Sequence, residues 1–286
     1  MKQQHDDYQV VPFPKIKRWM AITYRSAQRR PMIHRLIEVD VTRARTFLRE
    51  HKAKTGESLS FTAFLIACLA QAIDENKSVQ AMRFGRKRLI VFEDVDVVTP
   101  IERDVAGIWL AIPYTVRAAN RKTFRQIHQE IRAAQAQDVT TNFKAFLFLP
   151  TLLFKIVWWV LWWLSGSNPQ LMKMYWGTAG LTAVGMFGKG AGWGIPPPGQ
   201  TLMITLGGIG EKPGVVDGQI AIREYLSLTI SFDHDIIDGA PAARFTGRLK
   251  DLIESGYRLD DAMATSGLVV APITAHKSEK RNKEGV

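Results

Sequence analysis

Apolar residues fall along this chain in two rhythms. At Leu36-Ile37-Glu38-Val39-Asp40-Val41 apolar and charged positions partly alternate, which is the period of a strand. Behind Ser60, a capping residue, the run from Phe61 to about Asn76 is apolar nearly all round and predicts a helix buried against a sheet. Between Arg88 and Pro113 the pattern breaks into short apolar runs, Leu89–Phe92, Val95–Val98 and Ile108–Ile112, read as strands separated by polar turns. Thr123 and Gln126 stand in capping-box spacing, and Phe124, Ile127 and Ile131 keep a helical period to about Gln137. Two further strands, Gln200–Leu206 and Tyr225–Phe232, are separated by Lys212-Pro213-Gly214 and Asp217-Gly218, read as turns. A last helix over about Pro241 to Ser255 puts Phe245, Leu249, Leu252 and Ile253 on one face. No internal repeat interrupts the order, and the sum predicts a mixed α/β fold around one large sheet.

Composition narrows the classes. At 286 residues with 46% apolar and 23% charged side chains, the chain has globular proportions. A single cysteine, Cys68, excludes an intrachain disulfide scaffold and a thiolate zinc site. The start, MKQQHDDYQVV, carries no secretory signal, so a cytoplasmic location is expected. Residues 1–9 are expected to be an N-terminal tail, 10–270 one core domain, and 271–286 a polar disordered tail. The net charge of +11 suits an anionic partner: nucleic acid, acidic lipid or a phosphorylated substrate. Seven of the twenty-one residues from Lys15 to Arg35 are Lys or Arg, which also fits a plain solvated face. Charge alone is a weak basis for nucleic-acid binding, and none is expected.

The stretch Ala145 to Leu164 breaks the composition, with one charge, Lys155, one proline, Pro150, and four of the eight tryptophans. Its length permits a membrane span. However, Trp158, Trp159, Trp162 and Trp163 crowd one end, and one crossing would part strands that belong to one sheet. Two readings survive for this helical insert, placed at about 143–176. It lies in a membrane interface as a peripheral contact, or it is buried against another subunit or an acyl ligand.

The segment Ser227 to Ala240 holds the chemistry. A buried-strand pattern ends at Asp233, His234 follows, and Asp238-Gly239 comes four residues on. A histidine just past a strand end is placed to meet a ligand, and imidazole is the side chain that titrates near neutrality unaided. On this reading His234 is a general base, Asp238 fixes local geometry, and Gly239 permits a tight turn into the next helix. The plain alternative is a structural histidine beside a helix start. A metal site built on His234, Asp235 and Asp238 lacks a second histidine, and no metal is expected. The Gly-rich segment Gly185 to Gly194 lacks the Gly-Lys-Ser/Thr ending of a P-loop and is read as a turn near the site.

The line LSLTISFDHDIIDGAPAARF, Leu226 to Phe245, resembles the catalytic signature SFDHRxxDGAxAARF of the acyltransferase core of 2-oxoacid dehydrogenase complexes. VVPFPKIKRWMA, IEVDVT, FTAFLIACLAQAI, RAANRKTFRQIHQEI and GMFGKGAGWGIPPPGQTLMITLGGI resemble further segments of that family, in its order. Chloramphenicol acetyltransferases share the fold but carry a second histidine where this chain has Asp233. The resemblance implies a chloramphenicol acetyltransferase-like architecture, a central mixed sheet flanked by helices, with the Trp-rich helical insert added. It implies a CoA-dependent acyl transfer in which acyl-CoA is a substrate, His234 deprotonates a thiol or hydroxyl acceptor, and a hydroxyl holds the oxyanion. Matching the family's Gly turn at Val184 to Gly188 puts Thr182 where that hydroxyl, usually a serine, is found. The resemblance further implies homotrimers or assemblies of trimers, with His234 of one chain meeting Thr182 of the next. Asp238 would pair with a base near the N-terminus, Lys17 or Arg18.

Three departures accompany the resemblance. Asp235 replaces the Arg that usually follows the catalytic histidine. No lipoyl domain accompanies the core, so no covalent lipoyl group is expected. The Trp-rich insert stands where the family has a shorter polar connection. The alternative reading is a non-catalytic trimeric scaffold that presents the insert to a membrane or partner.

Overall fold

The computed structural model describes residues 3–4, 9–10, 30–85, 87–105, 108–136, 168–185 and 190–259, together with seven positions between 153 and 164. Ten strands, five α-helices and two short 3-10 turns are delimited in these residues, besides the helical positions between 153 and 164. The strands are β1 (Gln3–Gln4), β2 (Gln9–Val10), β3 (Met32–Asp40), β4 (Met82–Phe84), β5 (Arg88–Ile90), β6 (Val97–Val105), β7 (Ile108–Val116), β8 (Ala179–Ala183), β9 (Leu202–Val216) and β10 (Gln219–Asp233). The helices are α1 (Thr42–Thr55), α2 (Phe61–Glu75), α3 (Phe124–Ala136), α4 (Pro169–Trp176) and α5 (Gly239–Glu254).

Six strands form the main sheet in the order β3-β10-β9-β8-β6-β7. It is mixed: β8 runs parallel to both β6 and β9, and the other neighbours are antiparallel. The expected architecture, a central mixed sheet with helices packed on it, is the one observed. Helix α2 touches both α3 and α5, and its apolar surround is buried, with Phe64, Ile66 and Ile73 at zero exposure. Edge-to-face ring pairs, Phe64 with Phe124 and Phe232 with Phe245, key the helices to one another and to β10.

The capping residues act as their spacing predicts. Ser60 Oγ accepts the N–H of Ala63, and Thr123 and Gln126 exchange the two bonds of a capping box. Helix α1 has no counterpart in the sequence reading. Its apolar positions are few, and only Ala44 and His51 are buried. It stops at Gly56, whose φ of 76° is a left-handed cap.

Three strand expectations are corrected. Leu89–Phe92 does not enter the sheet; β5 pairs with β4 in a separate hairpin. The strand expected from Val95 begins at Val97, because the N–H groups of Val95 and Asp96 are taken by Asn120 Oδ1 and Thr178 Oγ1. Lys212-Pro213-Gly214 is strand rather than turn, paired with Arg223, Ile222 and Ala221. Strand β8 has ended by then, at Ala183 opposite Leu206, so Pro213 lies along a free edge where its missing N–H costs no ladder bond. The hairpin closes at Asp217-Gly218, both at positive φ, which matches the strand twist.

The two faces of β10 differ in chemistry but not in burial. From Leu226 to Asp233 every residue is buried, while Leu228, Ile230 and Phe232 alternate with Ser227, Thr229, Ser231 and Asp233. The apolar set meets the helices. The Gly-rich segment covers the polar set: Gly192 N–H donates to Ser227 Oγ, and Gly208 N–H donates to Gly192 O. Backbone lies directly on backbone there, so a Cβ at Gly207 or Gly208 would collide with the carbonyls of Gly192 or Gly190.

Candidate active site

Strand β10 delivers Asp233 to the edge of the core, and the chain then turns through residues 234–238 into α5. The turn is held by main-chain bonds. Asp233 N–H donates to Thr201 O at 2.9 Å, His234 N–H to Pro31 O at 2.8 Å, and Ile236 and Ile237 N–H both to Asp233 O. Ile237 is buried at 3% exposure and pins the turn to the core from below. What stands out is the imidazole of His234, 46% exposed, with Nδ1 4.0 Å from Asp238 Oδ1. Asp238 occupies the N-cap of α5 but makes no side-chain cap bond, and its side chain is 84% exposed.

A second layer of charge supports the turn. Asp233 is buried; its Oδ1 accepts the N–H of Asp235 at 3.1 Å, and its Oδ2 lies 3.9 Å from Arg30 Nε. Burial pushes the Asp233 carboxyl above the ordinary aspartate range, against the pull of the Asp235 N–H and Arg30. Arg30 also donates to Gly199 O at 2.7 Å, which ties the chain before β3 to the connection that leads into β9. Asp235 turns outward and meets Arg83 of β4 at 3.4 Å. The sequence marks Asp233 only as the strand end before the histidine and as the position of the second histidine of chloramphenicol acetyltransferases. Arg30 and Arg83 carried no local signal, since both partnerships span more than a hundred residues.

Thr182 sits on β8 in register with Thr205 of β9, which is in register with Thr229 of β10. The three make a row of hydroxyl residues across the sheet. Thr205 and Thr229 are buried, and their Oγ1 atoms have no hydrogen-bond partner among the described residues. Thr182, at the end of the row, is partly open. Within one chain it does not meet His234. Two strand spacings across and five residues along separate them, roughly 19 Å.

Gly239 departs from expectation. Its φ is not in the left-handed region, and a Cβ there would meet nothing within 4 Å, so the chain itself does not require glycine. Lys17 and Arg18 lie outside the described residues. Among the described residues no group of three or more His, Cys, Asp or Glu side chains is placed to hold a metal ion.

The same architecture recurs in solved structures. Dihydrolipoamide acetyltransferase of Azotobacter vinelandii superposes with a TM-score of 0.66 at 21% identity, covering 88% of this chain and 93% of that one. In that protein a serine, a histidine and an asparagine were investigated for their catalytic roles. The cubic core of the pyruvate dehydrogenase multienzyme complex gives 0.64 at 20% identity, with coverages of 88% and 93%. A histidine turn at the lip of a mixed sheet and a hydroxyl strand apart from it thus stand on the fold of an acyltransferase core. By sequence the chain belongs to the 2-oxoacid dehydrogenases acyltransferase (catalytic domain) family, whose model matches residues 5–144 and 169–259. A lipoamide acyltransferase component of the branched-chain alpha-keto acid dehydrogenase complex of Bacillus subtilis is 28% identical over 236 residues, 81% of this chain and 48% of that protein. A dihydrolipoyllysine-residue succinyltransferase component of Rickettsia bellii is 35% identical over 213 residues, 73% of this chain and 45% of that one. The chain therefore spans about half the length of these relatives. Residues 145–168, with the whole of the Trp-rich stretch Ala145 to Leu164, fall between the two matched segments.

Proposed function

We propose that this chain transfers an acyl group between a CoA thioester and a thiol or hydroxyl acceptor, with His234 as general base. The observation that carries the reading is the half-exposed imidazole on a rigid turn, with a carboxylate on its Nδ1 side. That negative charge favours the Nδ1–H tautomer and leaves the Nε2 lone pair to take a proton. Nε2 removes the proton of the acceptor S–H or O–H, and the freed pair attacks the thioester carbonyl carbon. The carbonyl π pair moves to oxygen, where the Thr182 hydroxyl donates a hydrogen bond to the oxyanion. Collapse restores the carbonyl and breaks the C–S bond, and the departing thiolate takes the proton from the imidazolium. Asp238 balances the charge of that imidazolium.

The roughly 19 Å between Thr182 and His234 in one chain supports a site completed by a neighbouring copy, in a ring of at least three chains. The investigated serine, histidine and asparagine of the Azotobacter vinelandii protein are spaced 52 and four residues apart. Thr182, His234 and Asp238 repeat those spacings. The net charge of +11 accords with an anionic acyl carrier such as CoA.

The test is transfer of labelled acetyl and longer acyl groups from CoA to dihydrolipoamide, compared with His234→Ala. Loss of general-base catalysis lowers the rate by about 10²–10⁴-fold. Equal transfer by both proteins, or none by either, gives the scaffold reading instead.

A further inference from the structure

The described positions of the Trp-rich segment are all helical, and all carry apolar side chains open to solvent. Trp159 is 66% and Trp163 62% exposed, with Leu153, Ile156, Val160 and Leu164 between 38% and 52%. Val157 is exposed as well, at 38%, and on an ideal helix these seven positions would fall within an arc of about 160°. Scattered exposed apolar residues need no explanation, but a continuous face of this kind does.

Crossing a bilayer is excluded by the sheet. Strands β6 and β8 lie on either side of the segment in sequence and pair directly, Val97 with Ala179 and Val98 with Gly180. The chain thus leaves and re-enters the same sheet. Charge then selects among partners. In sequence no acidic residue occurs between Asp138 and Glu211, while Lys144, Lys155 and Lys189 do; a fourth lysine there, Lys173, is taken up by Asp94 at 3.5 Å and Asp96 at 3.8 Å. An apolar, tryptophan-bearing stretch whose flanking sequence carries lysines and no carboxylates is matched to the headgroup region of an anionic bilayer. A second copy of this chain would bring the same cations with it. The family model leaves residues 145–168 unmatched, so the segment is set apart from the shared core.

The far end of the segment is anchored. Arg117 of the β7–α3 connection donates to Lys173 O at 2.9 Å and Met174 O at 2.6 Å, and pairs with buried Asp96 at 2.8 Å. The end of α4, with Met174 and Tyr175 exposed, is therefore fastened to the start of β6.

We infer that this face docks peripherally on an anionic lipid bilayer, holding the domain at the membrane surface without crossing it. The inference stands independently of the catalytic proposal. The test is co-sedimentation of the full chain with vesicles of equimolar phosphatidylcholine and phosphatidylglycerol, beside vesicles of phosphatidylcholine alone. Binding to the anionic vesicles that weakens with added salt is expected. A Trp159→Ser/Trp163→Ser double variant should lose on the order of tenfold or more in partitioning while keeping its circular dichroism and oligomeric state. No sedimentation with either vesicle, equal binding to both, or binding unchanged by the double variant overturns the inference. Loss of the oligomer in the double variant also overturns it and assigns the face to a second copy.

Discussion

A site split between chains makes a quantitative prediction through mixing. On the proposed mechanism His234→Ala would remove the base and Thr182→Val the oxyanion donor, so each variant alone should be nearly inactive. Loss of an oxyanion donor costs about 2.7–4 kcal/mol, or about 10²–10³ in rate. In a closed ring each site would take its histidine from one chain and its threonine from the next. When the two variants assemble at random in equal amounts, half of the chains supply an intact His234. Half of their neighbours supply an intact Thr182. About one quarter of the sites are then whole, and activity should return to about one quarter of wild type. The assay is acetyl transfer from CoA to dihydrolipoamide after co-refolding the two variants, with each variant refolded alone as the baseline. Recovery no greater than the sum of the two baselines, in assemblies shown to be mixed, would refute the reasoning that their separation of roughly 19 Å is bridged by a second copy.

Three further outcomes are expected. His128 is buried beside Glu57, its Nδ1 accepting the N–H of Ser60, and burial holds its pKa below the usual 6.5. The unfolded chain then binds the proton first, so this contribution to stability is intact above pH 6.5 and lost as pH falls from there to the depressed value. Denaturant titrations from pH 8 down to 5 should show that loss, and His128→Gln should flatten it. Asp96 accepts from Arg117 and from Ala118 N–H, both at 2.8 Å; Asp96→Ala should cost about 1.5–3 kcal/mol in the same titration. Gly239→Ala should leave the chain's melting temperature within a few degrees, since its Cβ meets open space. A fall in transfer rate in that variant would mark close approach of substrate or a neighbouring subunit.

The sequence made legible whatever is written locally. Ser60 and the Thr123–Gln126 pair are caps whose partners lie three residues away, and both behave as their spacing says. The strand ending at Asp233 was visible because Leu226 to Phe232 keeps its alternation until His234. Helix α1 was not, because it buries so little that its pattern is mostly polar. Pro213 suggested a turn because nothing in the sequence tells that the neighbouring strand has already ended. At the candidate site, His234, Asp238 and Thr182 are legible from the motif and its resemblance, as is the expectation that His234 meets Thr182 only across two chains. The Arg30–Asp233 and Arg83–Asp235 pairs depend on register between distant strands and connections, which no local spacing encodes. Gly239 failed in the opposite sense: a glycine in a familiar place, with no positive φ to account for it.

The position of β3 sets a timetable for synthesis. Among the described residues it lies at the sheet edge and pairs with β10 alone, Met32 opposite Asp233, so its partner leaves the ribosome about two hundred residues later. At 5–20 residues per second that delay is roughly 10–40 s. Through that interval the nascent chain carries an unpaired strand, and towards its end the tryptophan cluster as well, with α2 still waiting for α5 to cover it. Shielding by a chaperone or a lipid surface during those seconds would bear on the yield of native protein, whatever the stability of the finished fold.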